Sequence, residues 1–215
     1  MKFEKISVNP IQKTHKYPIH CPMNLTPVIS SDTSSLNIGD FKDTILLDEC
    51  VSDIKQSLIH RPEIRVFGKT CHQPRDVGFF SDESVGYKYS RQMMRSQPLT
   101  GSLTKLLDTI NNMFSSDFNG ILVNLYRDGN DSIGDHSDDE NILSSQGVVA
   151  VSTGATRKFR IRDKQTRKIV KDIAMHHGMI VQMSGEFQKH YTHGIPVEKR
   201  VKEPRISFTF RHHTE

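Results

Sequence analysis

Two histidines and an aspartate are the residues of this sequence best suited to holding a reactive metal ion. His136 and Asp138 lie two positions apart in the segment His136-Ser137-Asp138. In an extended segment, positions i and i+2 project to the same side, so the imidazole and the carboxylate can reach one ion. His193, much later in the chain, is the candidate third ligand. Two histidines and one carboxylate leave coordination positions open, which suits the oxygen chemistry of Fe(II). Because His-x-Asp is a short motif, a surface loop histidine is the competing interpretation.

Residues 205–211, near the end of the chain, combine cationic and apolar side chains in a regular alternation. In a strand, one face would carry Ile206, Phe208 and Phe210, and the other Arg205, Ser207, Thr209 and Arg211. Arginines behind an apolar face are costly to bury unless they meet anions, and the dicarboxylate 2-oxoglutarate would supply them. Six strand steps separate the two arginines by ~20 Å, so they would serve different ends of a site. The alternative is a pair of arginines on a solvated sheet face.

These residues need a scaffold, and the hydrophobic pattern predicts one made mainly of strands. Short strands are predicted at residues 121–126, 147–153, 158–163, 168–173, 179–183 and 205–211. Two amphipathic helices are predicted ahead of them, one with an apolar stripe from Leu47 to Leu58 and one from Leu103 to Phe114. Thr100 or Ser102 is available to cap the second helix. Strands preceded by helices predict a β-sandwich or jelly roll backed by helices.

Length and composition predict one domain with an extension. The 215 residues carry a net charge of +4 and three cysteines, too few for a disulfide framework. Residues 1–38 hold four prolines and a polar run, so we predict an irregular N-terminal extension; residues 39–215 form the domain, with loops and short strands at about 61–98. We find neither a membrane-length apolar stretch nor a signal peptide. A soluble, intracellular monomer is expected, in either the nucleus or the cytoplasm.

Several motifs together resemble the AlkB family of nucleic-acid dealkylating dioxygenases. The resemblance is carried by residues 124–129 (Asn-Leu-Tyr-Arg-Asp-Gly), 131–140, the His193 segment and the Arg205–Arg211 strand, in the family's order and spacing. It covers about residues 62–211. It implies a double-stranded β-helix (jelly roll) that uses Fe(II), 2-oxoglutarate and O₂. The implied activity is oxidative demethylation of bases such as 1-methyladenine and 3-methylcytosine in DNA, a direct-reversal repair reaction.

The resemblance also implies roles for single residues at the metal and the cosubstrate. The implied Fe(II) ligands are His136, Asp138 and His193, and the implied 2-oxoglutarate contacts are Asn124, Tyr126, Arg205, Ser207 and Arg211. Arg205 would pair the distal carboxylate, and Arg211 would lie near Asp138. Ser207 stands where the family usually has an asparagine, so a weaker cosubstrate contact is expected there.

Substrate contacts follow from the same resemblance. Val66, Phe67 and Gly68 resemble the base-displacing finger of the branch that acts on double-stranded DNA. Tyr89 matches an aromatic residue that stacks on the flipped base, with His136 as the opposite wall, and Asp139 and Glu140 match residues that read the base edge. Phe67 as a core residue, Tyr89 as an ordinary loop residue and solvated acids at 139 and 140 are the alternatives. The predicted partner is alkylated DNA, preferentially double-stranded.

Other functions remain open on the sequence. The same chemistry can serve RNA, or a protein or lipid substrate, and a catalytically inactive nucleic-acid-binding module is a further alternative. A jelly roll that binds a different metal is another. The basic stretch at residues 157–168 would follow a phosphate backbone or form a solvated hairpin face.

Overall fold

The structure is a computed structural model that describes residues 24–66, 68–89, 92–138 and 147–213, with only the backbone at 66, 87–89 and 92. Within these ranges the chain forms three helices, α1 (Thr44–Ile54), α2 (Gly101–Phe114) and α3 (Phe187–His190). None of them is of a length and apolarity that would let it cross a membrane.

Seven strands form the larger sheet, in the order β1 (Thr26–Ser30), β2 (Ser34–Asp40), β13 (Met179–Gly185), β10 (Val148–Gly154), β15 (Arg205–Arg211), β8 (Gly120–Tyr126) and β5 (Asp76–Phe80). A four-stranded sheet has the order β12 (Ile169–Met175), β11 (Arg157–Asp163), β14 (Tyr191–Ile195) and β9 (Ile133–His136). Two hairpins, β3 (Glu63–Val66) with β4 (Lys69–His72) and β6 (Gly86–Tyr89) with β7 (Gln92–Arg95), complete the strands of the described ranges.

One hydrophobic core lies between the two sheets. It joins residues of the larger sheet, such as Val148 and Val181, to Phe159, Ile161 and Ile195 of the smaller one. All strand pairs in both sheets are antiparallel. The predicted jelly roll is therefore confirmed.

A second core lies between the larger sheet and the helices. Leu47 and Ile54 of α1 and Leu103 and Ile110 of α2 pack against the apolar face of β15. The Thr100 side chain accepts a hydrogen bond from the backbone N–H of Leu103, so it caps α2 as one of the two predicted candidates. The second predicted helix is confirmed, and the first is confirmed up to Ile54, beyond which Leu58 still packs against this core. Both apolar stripes have a sheet to cover.

The prediction for residues 1–38 was wrong from residue 26 onwards. Instead of an irregular extension, β1 and β2 extend the larger sheet, and β2 pairs with β13 along its whole length. Leu36 of β2 is fully buried between the sheets, whereas Pro27 lies in the edge strand β1, where a missing N–H costs little. The polar run forms the turn between the two strands. Residues 1–23 lie outside the described ranges.

Candidate active site

Two neighbouring strands bring the histidine pair together. β14 pairs with β9 so that His193 lies directly opposite His136, and the ring centroids are 4.4 Å apart. Asp138 follows two residues after the end of β9. Its carboxylate lies 3.7 Å from His136 Nε2 and 3.5 Å from His193 Nε2. One ligand atom from each residue lies within 4.8 Å of the others, so the three groups that the sequence singled out converge on one point.

A hydrogen bond orients the His136 imidazole towards this point, and ring stacking orients that of His193. His136 Nδ1 lies 2.9 Å from the carbonyl oxygen of Gly134, so Nδ1 is the donor and Nε2 keeps its lone pair for a ligand. The His193 ring stacks on Phe159 with centroids 5.1 Å apart. Its buried Nδ1 has no hydrogen-bond partner within the described part of the chain.

Charge at the site is set by Asp138 and Arg211. Arg211 Nη2 donates to Asp138 Oδ1 at 2.6 Å, and both side chains are almost fully buried. Burial alone would raise the pKa of Asp138, but Arg211 and then His193 outweigh it and hold this pKa well below its usual range. Burial, with a smaller contribution from His193, lowers the pKa of His136 to about 4. At neutral pH the site therefore offers a carboxylate and a neutral imidazole, as metal binding requires.

The cationic face of β15 forms the wall beside the metal ligands. Arg205, Ser207, Thr209 and Arg211 line the same pocket as His136, Asp138 and His193, while Ile206, Phe208 and Phe210 lie in the helix-side core. The predicted division of the strand into two faces is confirmed. The Arg205 guanidinium is 2% exposed and lies over the Tyr126 ring at 5.3 Å, and burial lowers its pKa. Its Nη1 is buried without a hydrogen-bond partner in the described residues.

Asn124 and Tyr126 of β8, the strand that pairs with β15, continue this wall and line the same pocket. Asn124 lies opposite Ser207 in the strand register, so the serine that departs from the family pattern lies beside Asn124 in this pocket. Arg75 Nε donates to Asn124 Oδ1 at 2.7 Å. Because the amide oxygen is engaged, the Asn124 NH₂ is the group left to donate to a carboxylate. Sequence reasoning missed Arg75, because its partner Asn124 lies far away in sequence.

The residues present fit an Fe(II) ion with a dicarboxylate. The donor set is the His, Asp, His combination typical of non-haem Fe(II) oxygenases. Beside it lies a buried guanidinium nitrogen that has no acceptor within the described ranges, as a site awaiting an anion would have.

Comparison with protein families agrees with this fit. The profile of the 2OG-Fe(II) oxygenase superfamily matches residues 44–211. The chain belongs to this superfamily. Membership implies Fe(II), 2-oxoglutarate and O₂ as the cofactor and cosubstrates of the oxygenase.

Individual relatives refine the family assignment. The chain is 34% identical over 158 residues to DNA oxidative demethylase ALKBH2 of Mus musculus, covering 69% of this oxygenase and 66% of that relative. It is 34% identical over 178 residues to alpha-ketoglutarate-dependent dioxygenase alkB homolog 3 of Mus musculus, covering 77% and 60%. These similarities confirm the AlkB-family resemblance, although the chain spans less than two thirds of the length of either relative. The solved structure of OsALKBH1 aligns with a TM-score of 0.54 at 15% identity, over 87% of this chain and 100% of that one, and shows the fold alone.

The expected substrate residues of the oxygenase are only partly described. Val66 and Gly68 flank the turn of the β3–β4 hairpin, and Gly68 adopts a φ of 79°, which favours glycine. Tyr89 ends β6, and its backbone pairs with Gln92; the side chains of Val66 and Tyr89 are not described. Phe67, Asp139 and Glu140 lie outside the described residues. Their roles stay predictions.

The basic stretch at residues 157–168 carries less free charge than its sequence indicates. Arg157 is 1% exposed and bonds to carbonyl oxygens of neighbouring loops. Arg160 pairs with Asp172 at 2.7 Å and Arg162 with Asp135 at 2.6 Å. This internal pairing favours the solvated-hairpin alternative over a continuous phosphate-binding face.

Proposed function

We propose that this protein is an Fe(II)- and 2-oxoglutarate-dependent dioxygenase that removes alkyl groups from the nitrogens of DNA bases. In this proposal it acts as a monomer, and its DNA substrate places the activity inside the cell. The observation that carries the proposal is the position of His136, Asp138 and His193 in one pocket with the buried Arg205. The name of the ALKBH2 relative supports DNA as the substrate.

Each residue of the site would have a defined task. His136, Asp138 and His193 would hold Fe(II), while Arg205 would bind the distal carboxylate of 2-oxoglutarate through paired hydrogen bonds. Asn124 and Tyr126 would orient that cosubstrate, and Arg211 keeps Asp138 ionised. With these groups bound, Fe(II) and O₂ would oxidise the alkyl carbon of the base while 2-oxoglutarate is converted to succinate and CO₂. The hydroxylated carbon then leaves the base nitrogen as an aldehyde, which restores the unmodified base.

A base inside a duplex has to leave the stack before it reaches this pocket. Flipping costs a few kcal/mol, and less for a damaged base that pairs poorly. We assign the gap-filling role to Val66 and Phe67, which lie in sequence between Arg65 of β3 and Lys69 of β4, since apolar wedges stabilise unstacked steps. Tyr89 would stack on the flipped base opposite His136, and Asp139 and Glu140 would read its edge. Together these residues favour double-stranded DNA as the substrate.

The proposal is tested by direct repair of a defined lesion. Anaerobically purified protein receives Fe(II), ascorbate and 2-oxoglutarate, followed by air and a duplex oligonucleotide carrying 1-methyladenine or 3-methylcytosine. We expect the oligonucleotide mass to fall by one methyl group with the wild type, and to stay unchanged with His136→Ala and Arg205→Ala. Succinate formation without demethylation would indicate RNA or protein as the substrate instead of DNA. The absence of both products would refute the proposed enzymatic activity.

The preference for duplex DNA is tested at the hairpin. Phe67→Ala should slow repair of a duplex lesion about tenfold or more, since losing ~1.4 kcal/mol of wedge stabilisation is a factor of ten. Repair of the same lesion in a single strand needs no wedge and should change less than about twofold. Initial rates on the two substrates give the comparison, with Lys69→Ala in the same hairpin as the control. Equal slowing on both substrates would contradict the wedge role.

A further inference from the structure

Asp138 is held at its backbone as well as at its side chain. Strand β9 ends at His136, so Asp138 lies beyond the strand pairing. Its backbone N–H donates to Gln188 Oε1 at 3.0 Å. Gln188 belongs to α3, the short helix that precedes the His193 strand, and is 4% exposed. This hydrogen bond joins the segment that carries one candidate ligand to the segment that leads to another.

Gln188 is itself fixed within the core. Its Nε2 faces Met183 Sδ at 3.5 Å, and its backbone oxygen accepts from Lys164 Nζ at 2.7 Å. A parallel link lies one residue away, where Ser137 Oγ donates to the Tyr191 carbonyl oxygen at 2.9 Å. The Gln188 carboxamide is thus held by β13 through Met183 as well as by Asp138, and its backbone is held by Lys164.

We infer that Gln188 is a positioning residue that sets the metal-binding carboxylate of Asp138, an inference that rests on the proposed function. Arg211 holds Oδ1 of this carboxylate, and Gln188 holds the backbone from which the carboxylate projects. With both ends fixed, Oδ2 faces His193 Nε2 at 3.5 Å. Partners that orient a metal ligand from behind typically change metal affinity by about 10–100-fold when removed.

A purely structural role for Gln188 has a different consequence. A buried N–H that loses its acceptor lowers stability by about 1–3 kcal/mol, but a ligand held in place by other contacts would still bind metal with unchanged affinity. Metal affinity of the folded protein therefore separates the two roles. It also requires neither cosubstrate nor turnover.

The experiment measures Mn(II) binding to metal-free protein by calorimetry in the absence of air. Gln188→Met keeps the side-chain length and removes the acceptor, so we expect Mn(II) to bind about 10–100-fold more weakly. Gln188→Glu restores an acceptor for the Asp138 N–H and should recover most of the affinity. The matched control is Gln182→Met in β13, where the glutamine accepts from Asn37 Nδ2 at 3.3 Å and does not line the pocket of the ligands; its affinity should stay within about twofold.

Thermal unfolding of each metal-free variant shows whether it is folded before titration. If Gln188→Met does not fold, Gln188→Asn carries the test, because its amide is one methylene too short to reach Asp138 and should weaken binding similarly. Wild-type affinity in a folded Gln188→Met or Gln188→Asn variant would overturn the inference. Wild-type protein that binds Mn(II) but repairs no lesion would instead refute the proposed function and leave the Gln188 result standing.

Discussion

Arg205 is a residue whose role in ligand binding lowers the stability of the ligand-free protein. Its guanidinium is buried, burial lowers its pKa, and its Nε donates to Ser152 Oγ at 2.9 Å. Within the described ranges no carboxylate forms an ion pair with it. A buried cation without an anion is costly, and apolar residues of similar volume often replace such charges without loss of stability.

We therefore expect Arg205→Met to separate stability from function. The metal-free variant should unfold at the wild-type temperature or above it, because no ion pair is lost. Its dissociation constant for 2-oxoglutarate, measured by calorimetry on Mn(II)-loaded protein, should rise about 30-fold or more, as expected for 2 kcal/mol or more lost with a buried charge pair. A large drop in melting temperature together with unchanged 2-oxoglutarate binding would contradict this role.

A functional residue could be predicted from the sequence where the residues next to it form a regular pattern. The arginines of β15 alternate with apolar side chains, and this period of two identified them without any partner. Gln188 and Arg75 act on residues far away in sequence, on Asp138 and Asn124 respectively, and a lone glutamine or arginine has no local pattern to show this.

At the scale of elements, Arg157 of β11 connects the two loops that adjoin the histidine strands. It donates to the carbonyl oxygens of Asp128 and Asp131, ahead of β9, at 2.9 Å and 2.8 Å. It also donates to the carbonyl oxygen of Pro196, just after β14, at 2.8 Å. Glu198 lies 3.3 Å from its Nε. The cation thereby satisfies three backbone groups and one carboxylate inside the protein.

Removing this cation should be far more costly than removing its neighbour on the same strand. We expect Arg157→Met to lower the free energy of unfolding by about 3–5 kcal/mol, because three carbonyl oxygens lose their buried donor and the half-buried Glu198 loses one ion-pair partner. Arg160→Met breaks a partly exposed pair with Asp172 and should cost about 1 kcal/mol or less. Urea unfolding of both variants is the measurement, and equal losses would refute the connecting role.

His213, two residues after the end of β15, should make the stability of the folded protein depend on pH. The ring of His213 packs edge-on against Phe79 with centroids 4.9 Å apart, and burial, with Arg211 and His212 nearby, lowers its pKa to about 4. In the unfolded chain a histidine has a pKa of ~6.5. Between these two values the unfolded chain binds more protons, so the stability of the folded state falls as the pH is lowered from ~6.5 towards 4.

Replacing this histidine should flatten that dependence. His213→Phe cannot be protonated, so its melting temperature should fall less between pH 7 and pH 5 than that of the wild type. Some slope should remain, since the pKa of His136 is also lowered to about 4. Melting curves of metal-free protein across this range provide the test. Parallel curves for the two proteins would show that His213 does not contribute.

The elements that the sequence did not reveal are those that depend on pairing. β1 and β2 contain a proline and a polar turn, and β2 becomes a strand because β13 offers it seven partners. The short strands β9 and β14 bring the histidines face to face, yet neither is long or apolar enough to stand out by periodicity. The amphipathic helices and the apolar strands were predictable because the spacing of their own apolar residues indicates which face is buried.

At the scale of the whole molecule, the two sheets contribute different parts of the candidate site. The larger sheet supplies the cationic strand β15 and the helix-backed core, and the smaller sheet supplies the histidine strands. The candidate metal site lies where the two sheets face each other, with the β3–β4 and β6–β7 hairpins expected to handle the substrate. The arrangement predicts that oxidation of 2-oxoglutarate and repair of a base occur in one pocket and in fixed proportion.

The stoichiometry of a limited turnover tests that central claim most directly. Wild-type protein with Fe(II), 2-oxoglutarate, limiting O₂ and an excess of methylated duplex would be quenched, and succinate, formaldehyde and repaired base counted by mass spectrometry. We predict one succinate and one formaldehyde for each base repaired, and none of the three with His136→Ala. Succinate that accumulates at the same rate with and without methylated nucleic acid, and without formaldehyde, would contradict the account.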